Sequence, residues 1–264
     1  MPTQENIIRA MQWLVHGARP HGALFFHYSG HGGQTKDLVG DEEDGEDEVI
    51  YPVDFRRAGH LVDDTMHEIM VTPLPAGCRL TSIFDVRLFL SLHPLKNTHP
   101  PDKSCHSGSA LDLPYMYSTE GKIKEPNLLE EAREGLLSAF SAYTQRGGGG
   151  AFHVRDALES VGGLLTGYIG ARRAEERARR TKTSPADVIS WSGCKDSQTS
   201  ADAVEAGAAT GAMSYAFIHA LRERPQQSYQ QLLTSIREIL RAKYSQKPQL
   251  SSSHPMDTDI LFIC

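Results

Sequence analysis

The sequence predicts an α/β fold in which a mostly parallel sheet is flanked by helices. Four apolar runs bounded by turn residues are typical of buried strands. They lie at 23–28, 79–84, 188–191 and 259–264. Helical patterns precede or separate these runs, at 4–15, 212–221 and 229–244. Because functional loops in such sheets gather at the carboxyl ends of the strands, we expect the chemistry at that edge.

The first helix and the strand after it lead directly to this edge. The helical pattern at 4–15 begins behind Thr3, whose side chain is suited to capping a helix. The strand that follows is predicted to end at the glycine-rich loop Ser29–Gly33. Asp85 and Ser192 directly follow two other predicted strands, so their positions resemble that of the glycine-rich loop.

Composition and charge exclude several classes of protein. The apolar content of 39% is enough for a core, whereas a net charge of -6 and a pI near 6.0 argue against a dedicated nucleic-acid binder. The 4 cysteines contain no CxxC pair, which argues against a disulfide scaffold or a zinc ribbon. The start of the chain carries acidic and amide residues where a signal peptide is basic, and no run approaches the roughly 18 apolar residues of a membrane helix. We therefore expect a cytoplasmic or nuclear protein that binds neither nucleic acid nor membrane.

Glycine and charge patterns divide the chain into two parts. Four consecutive glycines within Thr144–Gly150 predict a flexible linker. We assign residues 1–143 to a large part, 144–183 to the linker and 184–264 to a small part, which together form one domain. The charged run Ala171–Lys182 is predicted to be a helix that presents a solvated face.

A histidine and a cysteine stand in contexts that favour nucleophilic chemistry. A thiol needs a base or a cation nearby to ionise, and the two residues need only be close in the fold. His31 lies in Ser-Gly-His-Gly-Gly after an apolar run, and Cys105 lies in Ser-Cys-His-Ser-Gly. The small residues around both let a substrate backbone approach closely. The two motifs together, in this order, predict a His/Cys dyad.

Seven segments of the chain resemble successive blocks of the fungal-type metacaspases, a family of caspase-like cysteine peptidases. They are SGHGGQ, DGEDEVIYPVDF, VDDTMHEIMV, SCHSGSALDLPY, WSGCKDSQTSAD, ATGAMSYAF and YSQKPQLSSSHP. The resemblance implies a caspase-like three-layer sandwich that lacks the first strands of the family. It also implies a monomer that cleaves peptides or proteins after Arg or Lys and is activated by calcium.

The resemblance assigns a role to individual residues. His31 is the expected general base and Cys105 the expected nucleophile. The backbone amides of Gly32 and Cys105 are the expected oxyanion donors. Ser29 and Asp85 are expected to line the pocket for the P1 side chain. The role of Asp85 is physically reasonable because a buried carboxylate pairs with a guanidinium or an ammonium group.

Calcium is the cofactor that the resemblance implies, with Asp47, Asp63, Asp64 and Asp112 as the matching carboxylates. The run Asp37–Glu48 independently contains eight acidic residues among twelve. Calcium takes about six to eight oxygen ligands, so a dense group of carboxylates suits it. The alternative for this run is a flexible acidic loop.

The chain departs from the family pattern just before the cysteine. In the family the aspartate and the cysteine form D-S-C, whereas here the eighteen residues 86–103 follow Asp85. Without them the His31–Cys105 separation falls from 74 to 56 residues, close to the roughly 50 residues in caspases. The codons of Val86 begin with GT, and a codon for Lys103 can end with AG, which are the two ends of an intron. We therefore hypothesise that residues 86–103 are encoded by a retained intron. A shorter mature transcript is the expected observation.

The sequence leaves two alternatives to a working peptidase. The chain could keep the fold and act as a non-catalytic calcium-binding or interaction protein. A zinc site formed by His31, Cys105 and His106 matches structural zinc spacing poorly.

Three further residues are predicted to have supporting roles, and the other three cysteines to have none. His27 and His106 are interpreted as neighbours of the site that help packing or hydrogen bonding. Asp196 is interpreted as shaping the substrate cleft. The remaining cysteines are predicted to be buried and inert, namely Cys78, Cys194 and Cys264.

Overall fold

The structure is a computed structural model that carries side chains. It describes residues 1–39, 46–88, 110–123, 169–170, 172–195, 203–205, 208–243 and 246–263. The helices are α1 (Gln4–Val15), α2 (Phe55–Ala58), α3 (Asp63–Met70), α4 (172–181), α5 (Ala212–Glu223) and α6 (Tyr229–Lys243). The strands are β1 (Ala23–Lys36), β2 (Glu46–Ile50), β3 (Leu61–Val62), β4 (Arg79–Leu88), β5 (Tyr115–Tyr117), β6 (Asp187–Lys195), β7 (Ala203–Glu205), β8 (Ala208–Thr210) and β9 (Gln246–Ser252).

A seven-stranded mixed sheet organises the described part of the chain, with the order β3-β2-β1-β4-β6-β9-β5. The three central strands β1, β4 and β6 are parallel, and the pairs towards both edges are antiparallel. The predicted α/β class is confirmed, although the sheet is parallel only at its centre. Strands β6 and β9, from the C-terminal part, lie between β4 and β5, from the N-terminal part.

The two faces of the sheet carry separate apolar cores because side chains alternate along a strand. Leu80, Phe84 and Val188 face one core, which includes Met11 of α1 and Met66 of α3. The residues that alternate with these along β4 and β6 face the opposite core. That core also contains residues of α5 and α6, such as Met213, Phe217, Leu232 and Leu233. Helices therefore cover both faces, and the predicted three-layer sandwich is confirmed.

The predicted first helix forms as α1, and the side chain of Thr3 accepts a hydrogen bond from the Asn6 backbone amide at 3.4 Å. Residues 172–181 are helical, as the charged pattern predicts. The glycine run 144–150 lies outside the described residues, so the division into two parts remains a prediction. Within the described ranges, no helix is both long enough and apolar enough to cross a bilayer.

The strands at the functional edge run further than the sequence suggests. The prediction that the first strand ends at Ser29 is wrong, because β1 continues through all the glycines and pairs with β2. At Gly32 an added Cβ would lie 2.6 Å from the Val49 carbonyl oxygen and 2.3 Å from Val86 Cγ1. Glycine is therefore needed here for close strand packing, not for a turn.

The predicted C-terminal strand at 259–264 is also wrong. Residues 259–263 are irregular apart from one bridge between Leu261 and Ser228. Phe262 instead packs edge-to-face against Trp191 and Tyr229, which satisfies the apolar character of this segment. The strand beside β6 is β9, whose buried residues include Ser251 and Ser252, so an apolar pattern does not reveal it.

Candidate functional site

Ser29, His31 and Asp85 come together near the carboxyl end of the stretch over which β1 and β4 pair in parallel. Ser29 of β1 is the direct partner of Asp85 in β4, and His31 lies two residues further along β1. In-register partners on parallel strands point to the same face, as do residues two apart on one strand. Ser29 and His31 are exposed and Asp85 is buried. The structure therefore places the predicted base beside both predicted pocket residues.

Asp85 is held by the first turn of α5. Its side chain is 2% exposed, and Oδ2 accepts a hydrogen bond from the Ser214 backbone amide at 2.7 Å. Gly211, directly before α5, makes room for it, since a Cβ there would lie 1.9 Å from Oδ2. A carboxylate at a helix N-terminus is stabilised by the free amides and by the helix dipole. Sequence reasoning missed the contributions of Gly211 and Ser214, although both belong to the quoted segment ATGAMSYAF.

His27 joins the same local network from strand β1. Its Nε2 lies 2.8 Å from the hydroxyl oxygen of Ser214. His27 thus links β1 to the start of α5, where Asp85 is held. This contact agrees with the supporting role predicted for His27.

The backbone of His31 is anchored by two tyrosines. The His31 carbonyl oxygen accepts hydrogen bonds from Tyr28 Oη and from the Tyr51 backbone amide, both at 2.9 Å. Gly30 accommodates the Tyr28 ring, because a Cβ at Gly30 would lie 2.6 Å from Tyr28 Oη. Burial raises the pKa of Tyr28 to about 12. These contacts fix the main chain on which the predicted base is carried.

In a Tyr28→Phe variant, the free energy of unfolding is expected to fall less steeply at alkaline pH than in the wild-type protein. Below the ordinary pKa of 10.0 the wild-type protein keeps all the stabilisation from neutral Tyr28, and it loses this as pH rises towards about 12. The unfolded chain releases the proton first, so the free energy of unfolding falls across this window. Denaturant titrations of both proteins from pH 9 upwards measure the effect. Identical pH slopes for Tyr28→Phe and wild type would contradict it.

The four aspartates predicted to bind calcium converge in a second cluster. Asp47 lies in β2, Asp63 and Asp64 begin α3, and Asp112 follows the undescribed residues 89–109. The charges of Asp112 and Asp47 both act on Asp63. Asp112 adopts a left-handed backbone conformation with φ of 50°. The fold thus brings together acids that lie up to 65 positions apart in the sequence.

Asp63 is the most enclosed carboxylate of this cluster. It is 2% exposed, and its two oxygens accept hydrogen bonds from the Glu48 amide at 2.8 Å and the Asp64 amide at 2.9 Å. Burial, and then the neighbouring charges of Asp112 and Asp47, raise the pKa of Asp63 to about 8. Burial is the largest cause of this increase, and the nearby negative charges add to it.

Lys182 supplies a cation to the cluster, and sequence reasoning missed it. Its Nζ forms ion pairs with Asp64 Oδ1 and Asp112 Oδ2. Lys182 is buried, so the interpretation of the whole charged run as a solvated face is wrong at this residue. Burial alone lowers its pKa, but pairing with Asp112 and then Asp64 outweighs this, and the pKa is raised above its ordinary value.

A buried histidine holds the segment that carries Asp112. His67, one turn into α3, lies with Nδ1 2.9 Å from the Leu111 carbonyl oxygen. Burial lowers the pKa of His67, which favours a neutral ring that donates this hydrogen bond. Together with Lys182, this contact ties Leu111 and Asp112 to α3.

The carboxylates fit calcium by their chemistry, since hard cations take oxygen ligands. Among the described residues, however, no group of three or more His, Cys, Asp or Glu side chains is arranged to hold a metal ion. The Lys182 ammonium lies between Asp64 and Asp112. The calcium role of the four aspartates remains a prediction.

Several predicted residues lie outside the described part of the chain. They are Cys105, His106, Asp196, Cys264 and the acidic residues 41–44, and the Cys194 side chain is also outside it. Of the segment interpreted as an insertion, residues 86–88 continue β4, with Leu88 opposite Gly32. Cys78 is buried as predicted, and burial raises the pKa of its thiol. The dyad, the oxyanion donors and the zinc alternative therefore remain predictions.

The family model and the curated relatives that match this chain agree on one family. The family model described as "Metacaspase, peptidase C14 domain" matches residues 1–88. Metacaspase-1 of Cryptococcus neoformans (strain JEC21) is 62% identical over 272 residues, which cover 100% of this chain and 53% of the relative. Metacaspase-1 of Ajellomyces capsulatus is 62% identical over 262 residues, which cover 99% of this chain and 67% of the relative. A crystal structure of protein GSU0716 from Geobacter sulfurreducens gives a TM-score of 0.49 at 20% identity, covering 97% of this chain and 75% of that one.

Metacaspase-1A of Neurospora crassa is 60% identical over 262 residues, covering 99% of this chain and 53% of the relative. This chain thus spans about half the length of the Cryptococcus and Neurospora proteins, with 53% of each covered. The similarity extends along the whole chain, including the strands that carry Ser29, His31 and Asp85. The chain therefore belongs to the metacaspase family.

Proposed function

We propose that this chain is a cysteine endopeptidase that cleaves peptides and proteins after Arg or Lys. The observation that carries the proposal is the placement of Ser29, His31 and Asp85 on one face, near the carboxyl end of the parallel pairing between β1 and β4. An exposed imidazole beside a buried carboxylate combines a proton acceptor with a recognition site for a basic side chain. Family membership supplies the reaction class.

In this mechanism His31 accepts the proton of the Cys105 thiol, and the thiolate attacks the peptide carbonyl. A thioester acyl-enzyme forms, and the protonated imidazole donates its proton to the leaving amine. The backbone amides of Gly32 and Cys105 stabilise the oxyanion of the tetrahedral intermediate. Water then hydrolyses the thioester and regenerates the thiol.

The P1 side chain is recognised by charge. The substrate guanidinium or ammonium approaches the Asp85 carboxylate, whose Oδ2 already accepts the Ser214 amide. That hydrogen bond fixes the orientation of the carboxylate. Ser29, directly opposite on β1, forms the adjacent wall of the pocket.

Calcium is the proposed activator. Asp47, Asp63, Asp64 and Asp112 would hold it, and it would supply positive charge to a cluster in which negative charge is crowded. We further propose that the protein acts as a monomer in the cytoplasm or nucleus.

A second candidate is a calcium-binding or interaction protein without peptidase activity. It is favoured by the extension of β4 to Leu88, which makes residues 86–88 part of the sheet beyond Asp85. In the family, the aspartate and the catalytic cysteine lie two residues apart, and an insertion between them can displace one from the other. Such a site tolerates little displacement, because an error of about 1 Å can cost roughly 10²-fold in rate.

The two candidates are distinguished by peptide reporters that differ only in Arg, Lys or Ala at P1. We expect the 264-residue chain, or a variant lacking residues 86–103, to cleave the Arg and Lys peptides at least about 10²-fold faster than the Ala peptide. Cys105→Ala in each background is the matched control and should be inactive. Equal turnover of all three peptides, or activity that survives Cys105→Ala, would reject the peptidase proposal. If the peptides are cleaved only after residues 86–103 are removed, the 264-residue chain is the second candidate, a protein without peptidase activity.

A further inference from the structure

A row of buried serines crosses the middle of the sheet. Ser82 of β4, Ser190 of β6 and Ser251 of β9 are direct partners on adjacent strands, and they are 0%, 1% and 1% exposed. Val188, two residues before Ser190, belongs to the core that contains residues of α1 and α3, so the three serines face that core. Gln249, two residues before Ser251, faces the same way and is 7% exposed. Polar side chains therefore occupy part of a layer that is otherwise apolar.

Three neighbouring polar atoms in this layer have no hydrogen-bond partner. Within the part of the chain that the structure describes, Ser190 Oγ, Ser251 Oγ and Gln249 Oε1 are enclosed without one. The Ser82 hydroxyl differs, because it donates to the Ile189 carbonyl at 3.2 Å. Burying an unpaired hydroxyl or amide oxygen costs folding free energy, so folded proteins pair such groups with protein atoms or with ordered water. Three of them side by side indicate a shared partner.

We propose that Ser190, Ser251 and Gln249 form a binding site for a buried water molecule that bridges β6 and β9. Directly opposed side chains on antiparallel strands have Cβ atoms about 4.5–5.5 Å apart, a gap that one water spans with two hydrogen bonds of about 2.8 Å each. The Gln249 oxygen only accepts, whereas the two hydroxyls both donate and accept, so the ligand must donate and accept as well. Water does both, whereas an anion would face the Gln249 oxygen and an apolar ligand would leave all three atoms unpaired. This inference goes beyond the proposed function and does not rest on it.

A polar path leads from this site to the functional edge of the sheet. Ser192 is the direct partner of Gln249 and lies two residues beyond Ser190 on the same face of β6. Its side chain is only half-buried, whereas Ser190 is enclosed. Water therefore enters along Ser192 and Gln249. Asp85 faces the other side of the sheet, so substitutions at the water site leave the P1 pocket in place.

Alanine variants of the whole chain test the site through the folding equilibrium constant, measured by denaturant titration. Ser190→Ala and Ser251→Ala should each lower this constant by about fivefold, the scale of one lost hydrogen bond. The double variant should lose less than the product of the two single effects, because both hydroxyls bind the same water. Ser82→Ala is the matched control. Combined with Ser251→Ala it should give the full product, since the Ser82 hydroxyl is bonded to the Ile189 carbonyl.

A dry site gives the opposite sign. If the hydroxyls were unpaired in the folded protein, each alanine variant would fold more stably than the parent, because it removes a buried polar group without a partner. That result would overturn the proposal, as would single effects that multiply in the double variant. A crystal structure of the parent chain is the second readout and needs no variant to fold. It should show an ordered water within hydrogen-bond distance of Ser190 Oγ and Ser251 Oγ, and direct contact between the hydroxyls, or an apolar group in their place, would overturn the proposal.

Discussion

Replacement of His31 by alanine is expected to reduce kcat/KM on an arginine-ended peptide by at least about 10³-fold, the scale of losing a general base that also activates the nucleophile. Stability should change by less than about 0.5 kcal/mol, because the His31 side chain is exposed. The contacts with Tyr28 and Tyr51 go to the backbone carbonyl and persist in the variant. Progress curves on the Arg reporter, with denaturant titrations of the same samples, measure both quantities.

His27→Ala is the matched control for this experiment. His27 lies on the same strand and the same face, and its Nε2 contacts Ser214. Its removal should lower kcat/KM by less than about tenfold, in keeping with a group that supports but does not react. Similar losses in the two variants would show that imidazole on this face has only a structural role, and would contradict the assignment of His31 as the base.

Asp85→Asn and Asp85→Ala together separate the two roles of this carboxylate. Asparagine caps helices about as well as aspartate, so Asp85→Asn should keep the contact with the Ser214 amide while removing the charge. We expect this variant to lose at least about 10²-fold in kcat/KM on Arg and Lys peptides. Asp85→Ala should lose the same activity and, in addition, about 1–2 kcal/mol of unfolding free energy through the missing cap.

The Ala-ended reporter is the internal control for both Asp85 variants, because its P1 side chain carries no charge. Its slower turnover should be nearly unaffected in Asp85→Asn. If Asp85→Asn retained wild-type turnover of the Arg peptide, Asp85 would be a helix cap and nothing more. The preference for basic residues would then have to arise elsewhere in the chain.

The sequence predicted the elements whose residues follow a simple periodic rule. The α1 helix begins behind Thr3 because a hydroxyl can accept a backbone amide there, and the capping contact forms as expected. The apolar runs within β1 and β4 were predicted as strands of a mostly parallel sheet, and the structure pairs these two strands in parallel. These rules are local, or depend on one strand pair, so the sequence contains enough information for them.

The sequence did not reveal features that depend on distant partners. The strand β9 contains buried serines and a proline, so its identity comes from its position between β6 and β5 and not from its own pattern. Lys182 looked like part of a solvated charged helix, because the acids that neutralise it lie about 70 and 118 residues away. The cap on Asp85 likewise required knowing that α5 begins beside β4.

The order of strands in the sheet has a consequence for the integrity of the molecule after proteolysis. A single cut between residues 124 and 168 would give an N-terminal piece that contributes β1 to β5 and a C-terminal piece that contributes β6 and β9. The strands β6 and β9 of the C-terminal piece would pair with β4 on one side and β5 on the other. Both apolar cores also contain side chains from each piece. Dissociation would break two strand interfaces and expose both cores to water at once. The nicked protein should therefore remain a non-covalent complex.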